Sequence, residues 1–379
     1  MLQDDNLMFL LGAVESAIEK LKYHVIYSFH GVNVLFQSNN VAFLKFMDAY
    51  FINYFHKVIN SQPQVHIYAC LNSMLLKNTE KVHRNISESM PSNYHFKLIY
   101  NCDSTHPIYW FINMEKRIII IFLSKCSDIE KYAVMRTVRA LVKLLLINQG
   151  MLLFHAACAV KKGYSICFIG EKHSGKTTTL INALVNCNCS YLSNDEVIIG
   201  YYGDRIYSYG LPISIGLRFG TIRQFHFLSY LCSKEQTAYN GIPCKSNKVF
   251  YDDDTRIYVT PQNLVSVLRS SITTVAKVGY FVVPILINGI DEAKLIPLSQ
   301  NETANYLLKH WLSVPFPEQP FLNIYTCSNN REVRKTINQI AIEIPAYKLI
   351  QSERSNTKAA LLLNKLFSMI SDKGRTSPD

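Results

Sequence analysis

The sequence predicts an α/β protein with a smaller α+β N-terminal part, and three features predict it. The chain has 379 residues, 49% hydrophobic and 18% charged, enough length and apolar material for two domains with real cores. Tyr and Phe number 23 and 20, a bias that suits pleated, half-buried sheet surfaces. Short apolar runs of strand length alternate with stretches of helical periodicity, and one strand-to-helix junction carries a glycine-rich loop.

The N-terminal elements follow from spacing. Within residues 7–22, Leu10, Ala13, Ala17 and Leu21 fall on one helical stripe. Tyr23–Phe29 and Val32–Phe36 read as a hairpin turning at His30-Gly31. A Phe- and Tyr-rich helix is expected from about Ala42 to Ile59. Strands follow at Val65–Ala69, His95–Tyr100, Ile108–Ile112 and Arg117–Leu123, the last two turning at Met114-Glu115-Lys116. Residues 78–93, polar and Pro-containing, read as a loop. Asp128–Gln149 is a long amphipathic helix whose basic face, Lys131, Arg136, Arg139 and Lys143, is expected in solvent. The spacing gives an N-terminal α+β domain over 1–127, suited to substrate or partner recognition, a larger domain over 128–370 and a frayed tail over 371–379. Thr357–Ile370 is a Leu-rich helix expected in the core.

The loop carries most of the chemistry. Gly170, Glu171, Lys172, His173, Ser174, Gly175, Lys176 and Thr177 form a complete G-x-x-x-x-G-K-[ST] motif. The glycines let backbone N–H groups turn toward phosphate oxygens. Lys176 can reach the β- and γ-phosphates, and the Thr177 hydroxyl can hold Mg²⁺. The apolar run Tyr164–Ile169 precedes the loop, and Thr177, Thr178, Leu180, Ile181, Ala183 and Leu184 follow at helical spacing. That places phosphate on a helix N-terminus. Downstream, Tyr191–Ile199 reads as a strand interrupted by Asn194-Asp195-Glu196. Asp195 at such a position can hold Mg²⁺ or accept a proton. In a regular strand Glu196 would face the other way.

From Leu152 to Ile199 the chain resembles the C-terminal domain of HPr kinase/phosphorylase and the HPr-kinase-related proteins of peptide natural-product clusters. The residues that carry the resemblance are Leu153-Phe154-His155-Ala156-Ala157-Cys158-Ala159-Val160, the loop at 170–177 and Ser193-Asn194-Asp195. Gly210-Leu211-Pro212-Ile213-Ser214-Ile215-Gly216-Leu217-Arg218 is similar to the family's Gly-Leu-Pro segment with its trailing Arg. The resemblance implies a fold of the phosphoenolpyruvate-carboxykinase type and ATP-dependent phosphorylation of a hydroxyl, usually Ser on a peptide or small protein, which includes a natural-product precursor peptide. It implies phosphate and metal roles for Lys176 and Thr177, a catalytic carboxylate in Asp195, a place for His155 beside the phosphates, and assembly into homo-oligomers. Arg218 is the arginine expected near the transferring group. One departure stands out. Where the family often has two adjacent Asp residues, the first here is Asn194, which keeps an oxygen for a metal but cannot act as a base.

Composition bounds the alternatives. The net charge is +11, but the basic residues are scattered, which argues against a nucleic-acid partner. Ten cysteines show no metal-ligand or disulfide pattern: Cys187 and Cys189 lack a second pair, and Cys158 and Cys167 read as small core residues. Met1-Leu-Gln-Asp-Asp lacks a basic n-region, and the apolar runs Ile118–Leu123 and Val278–Ile287 are too short to span a bilayer, so a cytoplasmic enzyme with no membrane partner is expected. Asp252-Asp253-Asp254 reads as a hairpin turn rather than a metal site. No N-K-x-D follows Asn247, which favours ATP over GTP. A small-molecule kinase on the same scaffold and a non-catalytic nucleotide-binding module stay open beside the peptide kinase.

Overall fold

A computed structural model of the chain describes residues 12, 16, 18–71, 96–101, 108–113, 117–233, 256–312 and 330–373, with backbone alone at 96–101 and 371–373. The expected 78–93 loop, the 114–116 turn, the acidic run at 252–254, most of the 7–22 helix and the last residues of the tail lie outside the described residues. The fold is mixed α/β and divides into two compact units, with the cut between Leu146 and Ile147.

The first unit is built on a seven-stranded mixed sheet, ordered β3-β1-β2-β4-β7-β6-β5. Its strands are β1 Tyr23–Phe29, β2 Val32–Ser38, β3 His56–Val58, β4 Val65–Leu71, β5 Phe96–Asn101, β6 Ile108–Asn113 and β7 Ile118–Leu123. The β1–β2 hairpin turns at His30 and Gly31, both at positive φ (47° and 83°), the backbone geometry that such tight turns require. Helix α1, Val41–Phe51, starts on Asn40, whose side chain accepts from the Ala42 N–H. It is shorter than expected, because His56–Val58 leaves the helix to pair with β1. Phe51 and Phe55 meet at 4.3 Å with their rings tilted, and Tyr27 meets Phe51 edge-on at 5.5 Å, so aromatic area fills this core.

Helix α2, Asp128–Asn148, groups almost entirely with this first unit. Trp110 Nε1 donates to Thr137 Oγ1 at 3.1 Å, and Tyr132 packs on Phe46. The division expected at 127/128 therefore moves to the end of this helix. The expected solvent face also fails. Lys143 is buried, and Lys131, Arg136 and Arg139 are half-buried. Buried residues run consecutively from Ala140 to Leu144, so more than one side of the helix is covered.

The second unit holds strands β8 Leu152–Phe154, β9 Ala156–Lys161, β10 Tyr164–Ile169, β11 Ser190–Ser193, β12 Val197–Tyr202, β13 Arg205–Gly210, β14 Ile215–Arg218, β15 Arg256–Val259, β16 Val275–Leu286, β17 Lys294–Pro297 and β18 Ala346–Gln351. Its helices are α3 Lys176–Asn186, α4 Phe219–Gln224, α5 Tyr230–Ser233, α6 Pro261–Leu268, α7 Gln300–His310, α8 Asn330–Glu343 and α9 Asn356–Lys373. The main sheet runs β11-β9-β10-β16-β13-β12-β8. The long β16 serves several neighbours. It pairs parallel with β10, antiparallel with β13 through Val275–Lys277, and parallel with β18 through Phe281–Leu286.

Alternation along the strands builds two cores. On one face Ala157, Ala159, Ile166 and Phe168 pack with Leu180, Ile181 and Leu184 of α3, Ile215 and Leu217 of β14, and Leu363 and Phe367 of α9. On the other face Ala156, Cys158, Cys167 and Ile169 pack with Leu307 of α7 and Ile337 and Ile340 of α8. The result is a sheet with helices on both sides. Cys158 and Cys167 are small core residues as expected, opposite each other with sulfurs 3.4 Å apart. Cys187 and Cys189 are buried, and no cluster of three or more His, Cys, Asp or Glu suited to a metal occurs among the described residues. No helix among them is long and apolar enough to cross a membrane.

Candidate functional site

Strand β10 delivers the loop at its C-terminal end, and α3 begins at Lys176. Both motif glycines have steric reasons. A Cβ on Gly170 would lie 2.7 Å from Ser174 Oγ, and one on Gly175 would lie 2.8 Å from Leu286 Cγ. Gly175 also sits at φ 95°, a left-handed conformation costly for other residues. It caps α3 with no side-chain hydrogen bond, which leaves the helix's first N–H groups without a side-chain acceptor. The Ser174 hydroxyl is buried without a partner in the same turn.

Lys176 is 7% exposed and folds back on the loop, where Nζ donates to the Gly170 and Glu171 carbonyls at 2.7 and 2.9 Å. Burial pulls its pKa below the ordinary lysine value, against the charges of Asp195 and Glu171. The Glu171 side chain meets Lys309 Nζ at 2.5 Å, with His310 Nε2 at 3.9 Å, and Gly170, Glu171 and Ser174 do not line the cleft described below.

The sheet changes strands at His155. β8 ends at Phe154 and pairs with β12, while β9 starts at Ala156 and pairs with β10 and β11. His155 stands in the break, and its backbone N–H donates to the His310 carbonyl at 2.8 Å. Its Nδ1 lies 2.9 Å from the Asp195 carbonyl oxygen, which only accepts, so Nδ1 carries the proton. Burial and the Lys176 charge lower the His155 pKa, with Asp195 opposing them. The ring is therefore neutral near pH 7, with Nε2 as an acceptor.

Asn194, Asp195 and Glu196 divide β11 from β12. Ser193 Oγ donates to the Glu196 carbonyl at 2.5 Å and closes the turn. Asp195 adopts φ 67°, so the face alternation of a regular strand does not apply to this segment. Asn194 is 1% exposed, its Oδ1 accepts from Thr177 Oγ1 at 3.1 Å, and its Nδ2 is buried without a partner. Thr177 thus meets Asn194 rather than Asp195. Burial raises the Asp195 carboxyl above the usual aspartate range, against the pull of His155, Lys176 and Arg256.

Arg218 ends β14 and caps α4, and α4 is tied to the loop helix through Thr178 Oγ1 and Thr221 Oγ1, 3.2 Å apart. Arg218 Nη1 lies 2.5 Å from His173 Nδ1, and Nη2 lies 3.2 Å from Nε2. His173, one of the motif's variable positions, thus has a defined neighbour. Around these groups lies a cleft of about 470 Å³ that brings together His155, Lys172, His173, Gly175, Lys176, Thr177, Thr178, Asp195 and Arg218. Sequence reasoning missed Arg256, Gly216 and Leu286, which also line it.

The chain's own groups fit a nucleotide phosphate: an uncapped helix start, an orphaned hydroxyl in the loop and a buried lysine facing carbonyls that phosphate could replace. They also fit Mg²⁺, which favours hard oxygens and one or two carboxylates alongside phosphate. Thr177 Oγ1, Asn194 Oδ1 and the Asp195 carboxylate supply such donors.

No family model matches the chain, and no curated protein matches it. Among solved structures, the HPr(Ser) kinase/phosphatase from Coxiella burnetii aligns with 59% of this chain and 98% of its own, at 11% identity and a TM-score of 0.28. An overlay that loose assigns neither a shared fold nor a shared activity.

Proposed function

We propose that the chain is an ATP-dependent phosphotransferase that moves the γ-phosphate to a hydroxyl, with Ser of a peptide or small protein as acceptor. The observation that carries this reading is the convergence of Lys176, Thr177, Asp195 and Arg218 on one cleft at the end of β10. In this reading the loop N–H groups and Lys176 hold the β- and γ-phosphates. Thr177 and Asp195 hold Mg²⁺, which when bound neutralises phosphate charge.

Asp195 takes the proton of the acceptor hydroxyl. The neutral His155 fixes the Asp195 backbone through its Nδ1–H, and Arg218 compensates charge developing on the transferred group. Asn194 anchors Thr177 and contributes no base, so proton removal falls to Asp195 alone.

Calorimetry with Mg²⁺ and a non-hydrolysable ATP analogue tests the nucleotide half, and binding that survives Lys176→Ala undiminished would count against it. Mass spectrometry after incubation with ATP and Ser-containing peptides tests the transfer half, through a gain of one phosphate per acceptor.

A further inference from the structure

The short β14–β15 ladder carries a feature the transfer chemistry above does not use. Its register pairs Ile215 with Val259, Gly216 with Tyr258, Leu217 with Ile257 and Arg218 with Arg256. One face, Ile215, Leu217, Ile257 and Val259, is buried in the core. The other puts Gly216, Arg218 and Arg256 on the wall of the cleft. Two arginines directly opposite on one face of an antiparallel pair repel each other. An anion held between them reverses the sign of that interaction, and guanidinium groups are the side chains that bind carboxylate or phosphate with two parallel N–H donors.

Gly216 lies on the same face, against the Tyr258 ring and the Arg256 side chain: a Cβ there would stand 3.4 Å from Tyr258 Cε1 and 3.5 Å from Arg256 Cδ. The Arg218 end of the ladder is anchored, whereas Arg256 opposite it is exposed. α4 follows Arg218 directly and is anchored to α3 by the Thr178–Thr221 contact. Charge points the same way. The cleft is lined by Lys172, Lys176, Arg218 and Arg256 against the carboxylate of Asp195. A Mg²⁺–nucleoside triphosphate brings a net charge of about −2, which leaves positive charge for a second anion.

We propose that Arg218 and Arg256 form a second anion subsite, distinct from the phosphate loop, that holds a carboxylate or phosphate carried by the acceptor close to its reacting hydroxyl. The inference rests on the kinase reading and narrows its substrate class. The acceptor is an acidic hydroxyl compound, and for a peptide this means Asp or Glu flanking the acceptor Ser. Arg218, which also meets the His173 ring, then serves both the transferring group and the acceptor's anion. Arg256, which also pulls on the Asp195 carboxyl, has no role in the transfer chemistry above and is the specificity-determining residue.

The test begins with protein loaded with Mg²⁺ and a non-hydrolysable ATP analogue, titrated with inorganic phosphate as the probe. Phosphate is expected to bind saturably. Arg256→Gln is expected to weaken it about tenfold, the scale of losing charge-assisted hydrogen bonds, with affinity for the ATP analogue unchanged. Arg256→Lys, which keeps the charge but not the fork, should fall between. Equal melting temperatures of the three proteins establish that the variants fold.

Loss of analogue affinity in Arg256→Gln would assign the arginine to the nucleotide and overturn the proposal. So would phosphate that fails to bind the loaded protein. An analogue that does not bind at all would instead sink the kinase reading, and this inference with it. Turnover separates the sources of the anion. A Ser peptide flanked by Asp, compared with its Asn counterpart, tests an acidic peptide, and glycerol phosphate tests a small phosphorylated hydroxyl compound. Equal turnover of the Asp and Asn peptides, with none of glycerol phosphate, would refute an anionic acceptor.

Discussion

Asp195→Asn separates catalytic need from structural need in one substitution. The residue sits at φ 67°, and Asn is among the few residues that tolerate the left-handed region. The amide keeps the side chain's size, and the backbone carbonyl that accepts from His155 Nδ1 is untouched. What changes is one half-buried charge whose desolvation has already pushed the carboxyl toward the protonated form. The sign of the stability effect follows. A carboxyl with a raised folded-state pKa is held ionised at a cost at neutral pH, so the neutral amide leaves stability equal or higher there. That advantage shrinks as the pH falls and the carboxyl protonates. Asp195→Ala would lose stability instead, by about 1–2 kcal/mol, for placing an ordinary residue at this φ. Activity moves the other way. Removing a general base costs about 10²–10⁴-fold, or roughly 2.7–5.4 kcal/mol of barrier. Urea denaturation of the Asn and Ala variants measures the first pair of effects, and ADP release with Ser-peptide acceptors measures the last. An Asn variant that transfers phosphate at the wild-type rate would refute the assignment of the base. A clear loss of stability in that variant would mark Asp195 as a structural ion partner instead.

Three further outcomes are expected. Gly175→Ala combines a left-handed backbone with a Cβ pressed against Leu286, so unfolding free energy should drop by about 2–5 kcal/mol, read from its denaturant midpoint. The acid limb of kcat/KM should have its midpoint above the ordinary Asp value of about 3.9, because burial penalises the carboxylate and activity falls as pH drops through the raised value. A pH–rate profile with its midpoint below that value would contradict it. His310, 6% exposed, is lowered to about 4, so the unfolded chain takes up a proton near pH 6.5 while the folded one does not. Stability is therefore lost as pH falls below that point, by about 2 kcal/mol at pH 5. Paired urea titrations of the wild type and His310→Gln at pH 7.5 and pH 5 isolate this contribution.

Local signals made part of the site legible and long-range pairing hid the rest. Tyr164–Ile169 and the helix after Gly175 were readable because strand, loop and helix are contiguous in sequence. Asp195 was readable from a polar interruption between two apolar runs. Arg256 was not, because its place comes from pairing with β14 across a long stretch of chain, and a basic residue in an apolar run carries no mark of that partner. The break at His155 was hidden for a similar reason. Leu153–Val160 is apolar apart from His155, and the separate demands of β12 on one side and β10 and β11 on the other divide it there. Helix α1 stops at Phe51, ahead of His56–Val58, whose pairing with β1 is a long-range demand that local periodicity does not reveal.

The contacts at the end of α7 bear on how the molecule is made. The His310 carbonyl accepts the backbone N–H of His155, and Lys309 meets Glu171, so one helix end touches both the His155 break and the phosphate loop. Strand β10, which carries that loop, also has β16 as its parallel neighbour. During synthesis the loop leaves the ribosome long before either support exists. It must wait, exposed and unset, until residues near 310 have emerged. A nascent chain stalled before Val275 would carry every residue of the motif and lack the supports that hold it in shape.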